Sequence, residues 1–272
     1  MAMIFKTESY TEIEKTLCEY FDISKPVLEK TAIQYINDYD KLTNVTITSL
    51  YDWFVAKFPT DNHITQVEFY HLTRRLKTSI GDYSIQNLQT LLISNKNFTD
   101  FLNKYDISFA KKGESINLLY KNQLFNFDDE HVISRLRSYF KSRLDADEEQ
   151  DSFINGFAFF VGIEKIKYYE SLQSAPEIIN RLADLFDNND IVKDYERNSY
   201  YHCFKYIIPI ERITLLAFKN RNVEKTLLSC AISILAKYYI DECLAPEHDL
   251  ILRLPADYNL DAKYFVCDKL IY

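Results

Sequence analysis

Residues 66–74 read Gln66-Val67-Glu68-Phe69-Tyr70-His71-Leu72-Thr73-Arg74. Val67, Phe69 and His71 fall on one face and Gln66, Glu68 and Tyr70 on the other, a period of two that predicts a β-strand. On the N-terminal side of this strand, helical spacing occurs three times. Thr11 and Glu14 form a capping-box pair ahead of Leu17, Tyr20 and Phe21. Ser24 and Pro26 open a second helix with Val27, Leu28, Ile33 and Ile36 on its apolar face, and Ser49 with Asp52 opens a third carrying Leu50, Trp53 and Phe54. The turn cluster Pro59-Thr60-Asp61-Asn62 then sets a boundary. The organisation read from this is a helical N-terminal region over 1–60 and a second domain over 61–272.

On the C-terminal side the pattern is mixed. Helical spacing covers Ile85–Phe101, and Ser115–Tyr120 and Gln123–Phe127 flank Lys121-Asn122 as a hairpin. Phe153–Val161 and Tyr200–Ile208 read as strands, Ala175–Phe186 as a helix, and Asp249–Leu254 and Lys263–Cys267 as closing strands. Val223–Glu242, capped by Asn222, is apolar almost all round and is expected to be a buried helix. Without strict βαβ alternation, the fold class is α+β.

Apolar residues make up 47% and charged residues 26%, which places the chain among globular rather than disordered proteins. Glycine occurs four times. Neither GxGxxG nor GxxxxGK[ST] is present, so a Rossmann or P-loop nucleotide site has no support. Lys+Arg 32 against Asp+Glu 40 gives a net charge of −8, which disfavours wholesale binding to nucleic acid or anionic membrane but leaves room for a local basic patch. Met1–Glu8 lacks the apolar run of a signal peptide, and Thr226–Ala236 is too short to span a bilayer. Cys18, Cys203, Cys230, Cys243 and Cys267 form an odd set without a CxxC pair, as expected of reduced core thiols in a cytoplasmic protein. No ligand spacing supports a metal.

His71 ends its strand and runs into Thr73-Arg74, with Ser79-Ile80 beyond. A histidine there is placed to bond a ligand hydroxyl; the plainer reading is a core histidine bonded to backbone. No Ser-His-Asp order or nucleophile elbow accompanies it. This arrangement, strand-His71-Leu72-Thr73-Arg74 followed by Ser79-Ile80 and a helix, resembles the first NAD-binding motif of the ADP-ribosyltransferases, in particular the poly(ADP-ribose) polymerases and the DarT-type bacterial enzymes. The resemblance implies a split mixed β-sheet core over 61–272 and NAD as substrate. It implies that His71 bonds ribose and that the Leu72 backbone holds the nicotinamide carboxamide, with Thr73 and Arg74 completing the cofactor-binding motif. Leu72 stands where many members have glycine.

Asn155-Gly156-Phe157-Ala158-Phe159-Phe160 followed by Tyr168-Tyr169 is similar to the second motif of the family. It implies Tyr169, or Tyr168, as the residue stacking on nicotinamide. The family's strand tyrosine is replaced by Ala158 or Phe159. Glu247, ahead of His248–Leu254 and a last strand near Ala262–Val266, resembles the family's glutamate strand. It implies that Glu247, with His71, is catalytic, bonding the nicotinamide-ribose 2′-OH and stabilising the cation formed as nicotinamide leaves. Asp249 is the alternative, and the plain reading of Glu247 is a loop carboxylate after Pro246. His71, Thr73 and Tyr169 are then expected to line one cleft.

The function implied is NAD-dependent transfer of ADP-ribose to a macromolecular acceptor, protein or nucleic acid, as in a bacterial toxin or defence protein with a neutralising partner protein and no membrane. The alternative is a catalytically inactive interaction module of the same fold, which the missing strand tyrosine favours. A related fold serves the RNA 2′-phosphotransferases, so fold alone does not fix the reaction.

Two charged stretches remain. His131–Arg143 carries Arg135, Arg137, Lys141 and Arg143 with Tyr139 and Phe140 interleaved and no acid. It reads as a contact for a polynucleotide or a diphosphate, or as a solvated helix face. Asp145–Asp151 lacks the glycine and terminal glutamate of an EF-hand loop and reads as a solvent loop.

Overall fold

A computed structural model describes residues 2–39, 49–145, 153–216, 221–241 and 250–271. The elements begin with β1 (Ala2–Phe5), α1 (Tyr10–Phe21), α2 (Lys25–Tyr39), α3 (Ser49–Lys57) and β2 (His63–Leu76). Next come α4 (Leu88–Ser94), α5 (Lys96–Asn103), β3 (Ile107–Lys112), β4 (Ser115–Tyr120), β5 (Gln123–Leu124) and α6 (Ser134–Leu144). They continue with β6 (Asn155–Phe157), α7 (Lys167–Ser171), α8 (Glu177–Phe186), α9 (Asp190–Arg197) and β7 (Ser199–Pro209). The chain closes with β8 (Thr214–Leu215), α10 (Val223–Ile240), β9 (Ile251–Arg253) and β10 (Phe265–Ile271). The class is α+β. No helix among the described residues is long and apolar enough to cross a membrane.

The chain divides into two compact units. The first comprises Met1–His71, Asn155–Ile166 and Lys205–Arg253, and the second Leu72–Ile154, Lys167–Phe204 and Leu254–Tyr272.

In the first unit, α10 packs against α1, α2 and α3. The three expected N-terminal helices form, but the cap of α1 is Ser9, whose side chain accepts from the Glu12 N–H, rather than the Thr11–Glu14 pair. Asn222 caps α10 by accepting from the Lys225 N–H, and the helix buries Leu227, Leu228, Ile232 and Leu235 as its pattern predicts. The strands run in the order β7-β2-β6-β9-β8, with β1 parallel to β2 at the side. β2 meets β6 at Tyr70↔Phe157, and β6 meets β9 at Gly156↔Leu252, both antiparallel. Because β2 is an interior strand, Glu68 and Tyr70 are buried as fully as Val67 and Phe69. The strand expected over Phe153–Val161 shortens to Asn155–Phe157. Beyond it the Phe160 N–H turns to the Thr7 carbonyl. Gly156 has a packing cause: the Phe69 ring fills the space where a Cβ would stand.

The second unit has its own core, in which Leu92, Phe101, Leu102, Phe140, Ile179 and Leu182 are buried together. The helical stretch expected over Ile85–Phe101 is two helices. Asn95 breaks it by capping α5, its side chain accepting from the Phe98 N–H. The predicted hairpin is β4–β5, turned by Lys121 and Asn122 at φ 52° and 62°, the left-handed pair such a tight turn needs. β3 adds a third strand, pairing with β4 from Ile107↔Tyr120 to Lys112↔Ser115. Here β10 and β7 are sheet neighbours.

Candidate functional site

The strand segments of the three stretches that carry the motif resemblance, Val67–His71, Asn155–Phe157 and Ile251–Arg253, lie on β2, β6 and β9, which are hydrogen-bonded neighbours in the first unit. His71 is half-buried at the end of the unit's share of β2. Its Nδ1 donates to the Asn155 carbonyl at 2.8 Å. The Asn155 side chain in turn accepts from Arg253 Nε at 3.1 Å. This arrangement ties the end of β2 to β6 and β9 through side chains. Glu247 and Asp249 lie outside the described residues.

A buried polar cluster of this unit is marked by no sequence motif. Glu68 is 2% exposed. Its Oε2 accepts from the Thr7 N–H at 2.7 Å and the Tyr70 hydroxyl at 2.6 Å, and its Oε1 lies 2.5 Å from Lys205 Nζ. The same ammonium reaches Glu8 at 2.8 Å. One oxygen each of Glu8, Glu12 and Glu68 fall within 4.8 Å of one another. Burial opposes the charge of Lys205, but hydrogen bonds to Glu68 and Glu8 outweigh it, and the pKa is raised. Burial, then the charge of Glu68, pushes the Tyr70 hydroxyl up. With Lys205 as its cation and Thr7 and Tyr70 as donors, Glu68 is a paired structural charge. The signal that could have found it is a glutamate flanked by Val67 and Phe69 in an apolar strand.

The remaining residues implied by the resemblance belong to the second unit. Leu72 is buried and Thr73 half-buried. Arg74 is committed to protein oxygens. Its Nε donates to Ser199 Oγ at 2.8 Å, Nη1 to the Gln173 carbonyl at 2.5 Å and Nη2 to the Glu196 carbonyl at 2.9 Å. Burial lowers its pKa, with Glu196 acting in the opposite sense. Tyr169 packs its ring 5.4 Å from that of Tyr201, and the Tyr201 hydroxyl donates to the Tyr169 carbonyl at 2.9 Å. Tyr168 is 47% exposed. Burial raises the pKa of Tyr201, followed by Tyr169 and lesser effects that include Tyr168, while Arg74 lowers it. The structure thus gathers Arg74, Tyr168 and Tyr169 around Tyr201, a residue that strand alternation alone did not distinguish.

The basic stretch forms α6, which buries Leu136, Phe140 and Leu144. Arg137 turns away to donate to the Asp129 carbonyl at 2.9 Å. Arg143 lies over the Tyr139 ring at 4.0 Å and pairs with Glu177 at 3.3 Å. Residues 146–151 of the acidic stretch lie outside the described residues.

No family model matches the chain, and no solved structure matches it. Over 232 residues it is 20% identical to a putative BTB/POZ domain-containing protein of Acanthamoeba polyphaga mimivirus. The alignment takes in 76% of this chain and 45% of that protein, so the chain spans less than half the length of the curated relative it matches.

Proposed function

We propose that the chain is an interaction module that binds a partner without transforming it. The observation that carries this reading is that two polar motif side chains, His71 and Arg74, are hydrogen-bonded to protein atoms. Gly156 is likewise explained by the Phe69 ring. Each of these residues has a structural task that needs no ligand. Cys18, Cys203, Cys230 and Cys267 are thiols outside any disulfide, which supports a cytoplasmic setting. The test is incubation of the intact chain with NAD labelled in the nicotinamide ring. Release no faster than in the absence of protein is expected, and sustained release overturns the reading.

One observation favours a second reading, NAD-dependent transfer of ADP-ribose to a protein or nucleic acid: β2, β6 and β9 stand side by side in motif order. In that reading the sheet is a split ADP-ribosyltransferase-like core. His71 bonds ribose, the Leu72 backbone holds the carboxamide, Tyr169 or Tyr168 stacks on nicotinamide, and Glu247 stabilises the ribosyl cation. The chain would then be of toxin or defence type, with a neutralising partner. Glu247→Gln separates the readings: it abolishes nicotinamide release if the chain is an enzyme and changes nothing if it is a module.

A further inference from the structure

We propose that the groove between α6 and α8 in the second unit binds the diphosphate group of a compact ligand. The groove encloses about 450 Å³ and is lined by Arg135, Ser138, Tyr139, Lys141, Ser142 and Arg181. Arg135, Ser138, Tyr139 and Ser142 recur at helical spacing, which puts them on one stripe of α6. Arg181 faces them from α8, its guanidinium 5.5 Å from the Tyr139 ring centre. The lining therefore holds three cations, two serine hydroxyls and the Tyr139 phenol, and no carboxylate.

The carboxylates stand beside the lining and hold the arginines loosely. Asp184 is 3.7 Å from Arg135 and 3.5 Å from Arg181, and Glu177 is 3.5 Å from Arg181. These contacts lie at or beyond the outer limit for a hydrogen bond. They orient the guanidinium groups without saturating their five N–H donors each. A phosphoryl oxygen at about 2.8 Å makes a stronger charge-assisted bond than either carboxylate makes here. Lys141, paired with Asp128 at 2.9 Å, adds an ammonium beside Ser142. Arg135 and Lys141 are six residues apart, about 9 Å along the helix, so the cations approach a ligand from two ends and suit two linked phosphoryl groups. The net charge of −8 opposes a long polyanion and favours a compact one.

The experiment is calorimetric titration of the intact chain with inorganic pyrophosphate at low salt. Saturable binding is expected. Arg135→Gln with Arg181→Gln should weaken it by about tenfold or more. Ser138→Ala with Ser142→Ala removes two lining hydroxyls, that of Ser142 donating to the Tyr139 carbonyl at 2.9 Å, while keeping the three lining cations, and should weaken it by about threefold. Lys111→Gln, at the exposed end of β3, should bind as the wild type does. If the arginine variant does not fold, the serine pair decides. The proposal is overturned by no saturable binding, by undiminished affinity in the serine variant, or by sulfate binding as tightly as pyrophosphate. It is also overturned if a single-stranded oligonucleotide binds more tightly through the same residues.

Discussion

Lys205 Nζ lies 2.5 Å from Glu68 Oε1, an ion pair between a lysine side chain 9% exposed and a glutamate side chain 2% exposed. The pair joins β7 to β2, and Glu8 completes it from the other side at 2.8 Å. Removing Lys205 leaves the buried Glu68 charge without its cation, at a cost of about 3–5 kcal/mol. Lys205→Ala should therefore lower the stability of the chain by an amount in that range in urea unfolding. Lys205→Met combined with Glu68→Gln should recover much of the loss. A single variant as stable as the wild type would contradict the assignment.

Gly156 has no room for a side chain because the Phe69 ring occupies it. Gly156→Ala should cost about 1–3 kcal/mol through overpacking. Adding Phe69→Leu should make the second change less costly than it is alone. Additive losses in a double-mutant thermal unfolding series would show that the two positions do not compete for the same space.

Arg74 ties Ser199, Gln173 and Glu196 together with a planar fork. Lysine keeps the charge but cannot reach the three acceptors at once. Arg74→Lys should speed amide exchange around the loop after α7 and the end of α9, with a stability loss of about 1–3 kcal/mol. Unchanged exchange at both places would remove Arg74 as the tie.

Burial pushes the Cys230 thiol from 9.0 up to about 12. It also raises Tyr195, and raises Tyr70 together with the charge of Glu68. For each group the folded chain holds its proton more tightly than the unfolded chain. The stabilisation is full below the unfolded pKa and is lost as pH rises through the folded value. The guanidinium unfolding midpoint should be lower at about pH 10.5 than at about pH 8, where these groups are still protonated in both states. Equal midpoints would contradict the burial of these groups.

The parts of the fold legible in the sequence were those fixed by local pattern. α1 and α10 show apolar residues at helical spacing, and the β4–β5 turn carries Asn122 where a left-handed backbone is needed. What escaped depends on distant partners. β1 is four residues long, too short for periodicity, and exists because β2 pairs with it in parallel. α9 begins at Asp190, after Asn188-Asn189, a polar run with the composition of a loop, and is held by burial of Ile191 and Tyr195 in the second core. Glu68 falls on the face that alternation marks as polar, and the cation that helps to make its burial tolerable, Lys205, stands far along the chain. For the candidate site, the local pattern marks β2, β6 and β9 as strands but carries no sign that they are adjacent. Nor was the commitment of Arg74 to backbone carbonyls, since such acceptors carry no sequence signal.

His71 serves the fold through the Asn155 carbonyl in the reading proposed above. His71→Ala, measured for melting temperature and for NAD affinity beside the wild type, tests it most directly. A clear fall in melting temperature is expected, because the Asn155 carbonyl loses the His71 donor, with no saturable NAD binding by either protein. An unchanged melting temperature, with NAD binding present in the wild type and lost in the variant, would contradict it.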